Sequence, residues 1–186
     1  MKNKILFINA CVRESSRTEE LARYLSDRLD GEITEISLYK ENLSPIEETS
    51  LEKRNRHDFS GEEFMYAKQF QCADTIVIAA PLWDLSFPAV LKIYLENITV
   101  SGLTFEYSKE GRPVGKCNAK ELYYITTSGG YIGKFNFGFD YVKALAENFF
   151  GIKDVTFFSA EGLDIFGADT LAIMEQAKKD ILNKIV

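Results

Sequence analysis

One histidine, three cysteines, four prolines and one tryptophan in 186 residues leave little material for several kinds of chemistry. The lone His57 lies in a charged stretch and cannot by itself furnish a zinc ligand set or a histidine-based triad, so no metal site is expected. Cys11, Cys72 and Cys117 are odd in number and widely spaced, which suits reduced thiols better than a disulfide framework. Basic residues are outnumbered: 22 Lys and Arg against 28 Asp and Glu give a formal charge of -6. Nucleic-acid binders draw much of their affinity from Lys and Arg at phosphates, so no nucleic-acid partner is expected. No run approaches the roughly 20 consecutive apolar residues that cross a bilayer, so no membrane partner is expected and the cytoplasm is the expected compartment.

What the chain does have is 46% hydrophobic and 27% charged residues, enough for a full core in one α/β domain spanning residues 1–186. Three apolar runs, Ile5 to Ala10, Thr75 to Ala80 and Leu122 to Thr126, are short, rich in β-branched or aromatic residues and nearly free of charge. Strands buried on both faces read this way. Between them lie helical patterns such as Phe87, Val90, Leu91, Tyr94, Leu95 and Ile98, with Pro88 suited to a first turn.

The expected order is strand Lys4–Ala10, helix Arg17–Leu29, strand Glu32–Leu38, helix Gly61–Gln71, the Thr75 strand, helix Pro88–Ile98, the Leu122 strand, helix Gly138–Phe149, strand Asp154–Ser159 and helix Asp169–Ile185. This alternation predicts a parallel five-stranded sheet with right-handed crossovers in a three-layer, doubly wound domain. Glu41 to Ser60 is polar and reads as a connection with one short helical turn.

Ligands of open parallel sheets sit beyond the carboxyl ends of the strands, so the loops after the three central strands carry the candidates. After the first, Cys11 to Thr18 brings Ser16, Arg17 and Thr18 to a helix start, where unpaired N–H groups and the dipole attract an anion; Arg13 and Arg17 add charge. The same residues fit a Ser16–Glu19 capping box that needs no ligand. Cys11 with Arg17 and Thr18 also fits Cys-x5-Arg-Ser/Thr, which resembles the phosphate loop of low-molecular-weight phosphatases and arsenate reductases, although no glycine lies inside it and the chain has no Asp-Pro pair.

After the second, Pro81, Leu82, Trp83, Asp84 and Leu85 place a broad aromatic beside short polar groups, suited to a flat heteroaromatic ring. Pro81, Trp83, Pro88, Leu91, Lys92, Tyr94 and Leu95 fall in register with a signature of FMN-dependent azoreductases and NAD(P)H quinone reductases, which this segment resembles. Asp84 stands where that family usually has Asn. The third loop, Thr127-Ser128-Gly129-Gly130-Tyr131, is similar to the family's Gly-Gly loop, with Ser128 where many relatives carry Arg. Gly102 to Phe105, Tyr107 and Gly111 to Val114 also resemble the family's segment before its fourth strand.

The resemblance implies a flavodoxin-like fold with strand order 2-1-3-4-5, FMN as cofactor and NADH or NADPH as reductant. It also implies ping-pong two-electron transfer to a quinone, azo compound or similar acceptor. By the same resemblance Cys11, Ser16, Arg17, Thr18, Pro81 to Leu85 and Thr127 to Tyr131 are cofactor contacts, with Tyr131 a possible substrate contact too. A homodimer is implied as well, with Phe135, Phe137, Phe139, Phe149 and Phe150 as candidates for its surface, although ordinary core packing is the expectation for several of them. A flavodoxin acting as electron carrier shares the fold, but its usual Thr-x-Thr-Gly-x-Thr loop is absent.

Overall fold

A computed structural model of the chain describes residues 2–185. The elements run β1 (Lys4–Asn9), α1 (Arg17–Ser26), β2 (Glu32–Ser37), α2 (Glu48–Asn55), α3 (Met65–Cys72), β3 (Thr75–Ala79), α4 (Ala89–Ile98), β4 (Phe105–Tyr107), β5 (Pro113–Gly115), β6 (Glu121–Thr127), α5 (Phe137–Leu145), β7 (Asp154–Ala160) and α6 (Thr170–Ile185). Strands β2-β1-β3-β6-β7 form one sheet, parallel throughout. That is the expected 2-1-3-4-5 order, with the antiparallel β4-β5 hairpin inserted before the fourth sheet strand.

The two-residue period of the strands sorts the core into two halves. Leu6, Ile8, Ile76, Ile78, Leu122 and Tyr124 meet Phe70 of α3, Leu91 and Tyr94 of α4 and Val142 of α5. Ile5, Phe7, Val77, Ala79, Tyr123 and Ile125 face the other way, onto Leu21, Ala22 and Leu25 of α1 and Met174, Ala177 and Ile181 of α6. All five residues of β3 are buried, because both of its faces are covered; this is why no polar alternation marks it in the sequence.

Several elements differ from the sequence expectation: β4 and β5 are not among the expected strands, and the α-helix expected from Gly61 begins at Met65. Residues 48–55 form eight helical residues rather than one turn, although none of them is buried. Helix α1 stops at Ser26, and Pro88 is the N-cap of α4 instead of lying within its first turn. The helix expected over 138–149 is α5 followed by a π-helical turn, Ala146–Phe150, that ends at Gly151 with φ 78°. Gly115 makes that turn possible, since a Cβ there would lie 2.2 Å from the Phe150 and Gly151 backbone.

Candidate functional site

The strand order reverses between β1 and β3, and the loops leaving their carboxyl ends diverge there. The resulting cavity, of about 470 Å³, is lined by Val12, Arg13, Ser15, Ser16, Arg17, Thr18, Pro81, Leu82, Trp83, Thr127, Ser128, Gly129, Leu163 and Asp164. All three loops singled out from the sequence therefore meet in one place. A fourth, after β7, joins them.

The first wall is the start of α1. Ser16 caps it, its Oγ accepting from Glu19 N at 3.3 Å. Only half of the expected capping box forms, because the Glu19 carboxylate turns outward to Arg23, 2.7 Å away. Backbone N–H groups of Ser15, Arg17 and Thr18 find no acceptor among the described residues and, with the helix dipole, present a seat for an anion. The Thr18 and Thr127 hydroxyls share a hydrogen bond of 2.6 Å, which fixes this helix start against the end of β6.

Cys11 sits behind this wall rather than in it. It is 7% exposed, its Sγ lies 3.9 Å from Ala79 O, and burial pushes its thiol up to about 11, against a smaller lowering by Ser16. A phosphatase nucleophile needs the opposite, a thiolate at neutral pH facing the ligand. The geometry overturns that reading of Cys11 and Arg17.

The second wall is the Trp83 turn. Trp83 N donates to Ser86 O at 3.0 Å and Ser86 N to Trp83 O at 2.8 Å, while Asp84 and Leu85 take φ values of 49° and 67°. Two positive φ angles between paired residues make this a type I′ turn, in which Asp is tolerated and Leu is strained. Pro81, Leu82 and Trp83 line the cavity; Asp84 and Leu85 project from the tip, and no backbone carbonyl among the described residues accepts from their N–H groups. Leu85 O accepts from Phe137 N at 3.1 Å, so the turn is braced on the start of α5.

The third and fourth walls are zipped together. Leu163 N donates to Ser128 O at 3.1 Å, Asp164 N to Gly129 O at 3.0 Å and Gly162 N to Gly130 O at 3.1 Å. Glu161 reaches back to accept from Ile132 N, 2.9 Å away. Gly129 lets the Asp164 carboxylate lie over it, because a Cβ there would stand 2.4 Å from Asp164 Oδ2 and push that exposed side chain aside. Thr127, Ser128 and Gly129 line the cavity, whereas Gly130 and Tyr131 lie beyond it; the Tyr131 ring is 80% exposed. The sequence reading did not include Leu163 and Asp164. The signal for them was the glycine-bounded loop Gly162 to Gly167 after the last strand, at the same carboxyl edge as the others.

On these loops and the segments that follow them, Trp83, Leu85, Tyr131, Phe135, Phe137 and Phe166 are exposed. Of the five phenylalanines that are candidates for a dimer surface, only Phe135 and Phe137 are. Phe150 is fully buried, Phe149 packs on Phe105 at 4.9 Å and Phe139 on Phe157 at 4.7 Å.

A family model described as "Flavodoxin-like fold" matches residues 3–185. The chain belongs to that family. An FMN-dependent NADH:quinone oxidoreductase of Clostridium beijerinckii is 37% identical over 188 residues, covering 94% of each chain. Among solved structures, an azoreductase from Bacillus anthracis superposes with a TM-score of 0.83 at 25% identity, over 98% of both chains. An FMN-dependent NADH-azoreductase of the same species, in complex with FMN, gives 0.81 at 26% identity, over 98% of this chain and 97% of that one. The likeness to quinone reductases and azoreductases seen in three short loops thus extends over nearly the whole flavodoxin-like chain.

Proposed function

We propose that this chain is an FMN-dependent oxidoreductase that passes two electrons from NADH to quinones, azo compounds or similar flat acceptors. The observation that carries this reading is one cavity, at the β1/β3 switch point, joining an anion seat to an aromatic turn and a glycine edge. Its volume falls within the roughly 300–1,000 Å³ usual for small-ligand sites, and Gly129, without a Cβ, leaves the Asp164 side chain where it lines the cavity. These features fit FMN: a phosphate at Ser15 to Thr18, a ring against Pro81 to Trp83, and a ring edge at Thr127 to Gly129. FMN supplies, when bound, the redox chemistry between reductant and acceptor.

The protein's own part is to bind and orient. The N–H groups at the start of α1, with Arg17, hold a dianion, and Trp83 with Leu82 excludes water from one face of a bound ring. Asp84 and Leu85 offer free N–H groups at the turn's tip for the polar rim of that ring. Tyr131, exposed just after the Gly129–Gly130 corner, is the side chain proposed to touch an acceptor. Of the remaining residues proposed from the sequence, Gly130 serves through its carbonyl, which accepts from Gly162 N and ties the corner to the loop after β7, and Cys11 supports the first wall from behind.

The same reading makes residues 1–186 a single FMN-binding domain, working in the cytoplasm, where NADH is produced and free thiols such as Cys72 persist. It also makes the enzyme a homodimer: the exposed aromatics on these loops and the segments that follow them, Phe135 and Phe137 among them, need a cover, and a second copy would close the acceptor side. Among the described residues, no helix is long and apolar enough to cross a membrane.

The test is an absorption spectrum of the purified protein with and without added FMN, followed by anaerobic NADH. Binding and bleaching by NADH support the reading, and restoration of colour by a quinone completes it. Absence of FMN binding refutes it, while binding without bleaching favours an electron carrier instead.

A further inference from the structure

Among the described residues, Asp164 is the only carboxylate lining the cavity, and it faces one of two cationic side chains there, Arg17. Its Oδ1 lies 3.4 Å from Arg17 Nη1, with the side chains 76% and 45% exposed. That is longer than the roughly 2.7–2.9 Å of a well-formed charge-assisted hydrogen bond, and exposed pairs of this kind hold structure weakly. The loop does not depend on the pair. The backbone bonds from Gly162, Leu163 and Asp164 to the Ser128–Gly130 corner set its position, and they aim the carboxylate across Gly129 toward the anion seat. A negative charge held beside a site for anions opposes its own ligand unless it has a use there.

Building on the flavin reading above, we propose that Asp164 sets how strongly the cavity holds a phosphate monoester, by competing with it for the Arg17 guanidinium. With no phosphate bound, Arg17 is engaged by Asp164. An arriving dianion offers a doubly charged acceptor close to the N–H groups of Ser15 and Thr18; Arg17 transfers to it, and Asp164 is left facing like charge. Asp164 therefore weakens binding of ligands that carry the phosphate and leaves those without it untouched.

The test uses the purified protein, freed of flavin, and its D164N variant, titrated with FMN and with riboflavin by fluorescence quenching. With two exposed groups several ångströms apart, D164N should bind FMN about three- to tenfold more tightly at low salt, and the gain should shrink by 0.5 M salt. Riboflavin affinity should stay within about twofold, since that change removes no phosphate interaction. In an R17Q background the gain from D164N should fall to less than half on a logarithmic scale. Equal weakening of FMN and riboflavin by D164N would overturn the inference, because Asp164 would then be accepting from the sugar chain common to both. So would an unchanged FMN affinity, or a gain that persists in full without Arg17. If the unaltered protein and D164N both fail to bind FMN, the functional reading itself falls, and the inference with it.

Discussion

Leucine is a poor residue for a left-handed backbone, yet Leu85 holds φ 67° at the tip of the turn that carries Trp83. Residues with a Cβ cost about 1–2 kcal/mol in this region, whereas glycine enters it freely. The strain is measured most cleanly by comparing Leu85→Ala with Leu85→Gly. Both substitutions delete the same half-exposed side chain, so the lost burial, about 1 kcal/mol, is common to them. Alanine keeps the strain. Glycine escapes it but returns about 0.5–1 kcal/mol through the greater freedom of the unfolded chain.

Leu85→Gly should therefore be the more stable of the two by about 0.5–1 kcal/mol, which reverses the usual order of glycine and alanine. In a chain of this size that is about 1–4 °C in Tm. Thermal and denaturant melts of the flavin-free proteins measure it. An alanine variant as stable as the glycine variant, or more so, would mean that the turn relaxes out of the left-handed region when the leucine is absent, and the strain argument would be refuted.

Four further outcomes follow from contacts at three places. Cys11 should resist iodoacetamide at pH 7 to 8 and react only as pH approaches 11, because burial raises its thiol to about 11; fast labelling at pH 7 would revive the nucleophile reading. Since the folded thiol ionises later than the unfolded one, near 9, the stability it contributes is fully present below pH 9 and lost between pH 9 and 11, a decline that Cys11→Ala should lack in denaturant melts. Thr127→Val leaves the buried Thr18 hydroxyl without its 2.6 Å partner and should lower stability by about 1–2 kcal/mol, together with FMN affinity; an unchanged melting curve would show that the bond is idle. Arg54 donates to the carbonyls of Glu96, Asn97 and Thr99 at the end of α4, each at 3.3 Å, and these bonds anchor α2, which has no buried residue. Arg54→Met should speed amide exchange across residues 48–55 by about tenfold or more while shifting Tm little, and exchange at the original rate would count against the anchor.

The parts of this molecule that could be read in its sequence are those whose burial leaves a pattern. β1, β3 and β6 are covered on both faces and appear as apolar runs, and once they are placed the parallel order and the ligand edge follow from general rules. Helix α2 shows no such pattern because it buries nothing; its position comes from Arg54 and from Asn97 Nδ2 donating to Ser44 O. Strands β4 and β5 are three residues each, too short for a two-residue period to stand out, and only the likeness of Gly102 to Val114 to a family segment marked that region. Leu163 and Asp164 reach the cavity through main-chain hydrogen bonds to Ser128 and Gly129, an interaction that specifies almost nothing about side chains. Phe139, Phe149 and Phe150 are packed, as expected for several of the five phenylalanines, but aromatic content alone does not say which of the five are covered.

Two carboxylates, Asp84 on the Trp83 turn and Asp164 by the anion seat, stand at a site proposed to take a phosphate in a chain of formal charge -6. The long-range field therefore repels the ligand, and beside the single exposed guanidinium of Arg17 most of the binding must come from fixed donors at short range: the N–H groups of Ser15, Arg17 and Thr18 and the dipole of α1. Such donors act within the first turn, where salt has little room to intervene, while the opposing carboxylates act between exposed groups that salt screens. The balance at this site is then unusual for an anion site. Added salt should cost little of its attraction and remove part of its repulsion, so FMN affinity should fall less steeply with ionic strength than at a seat built from Lys and Arg side chains alone.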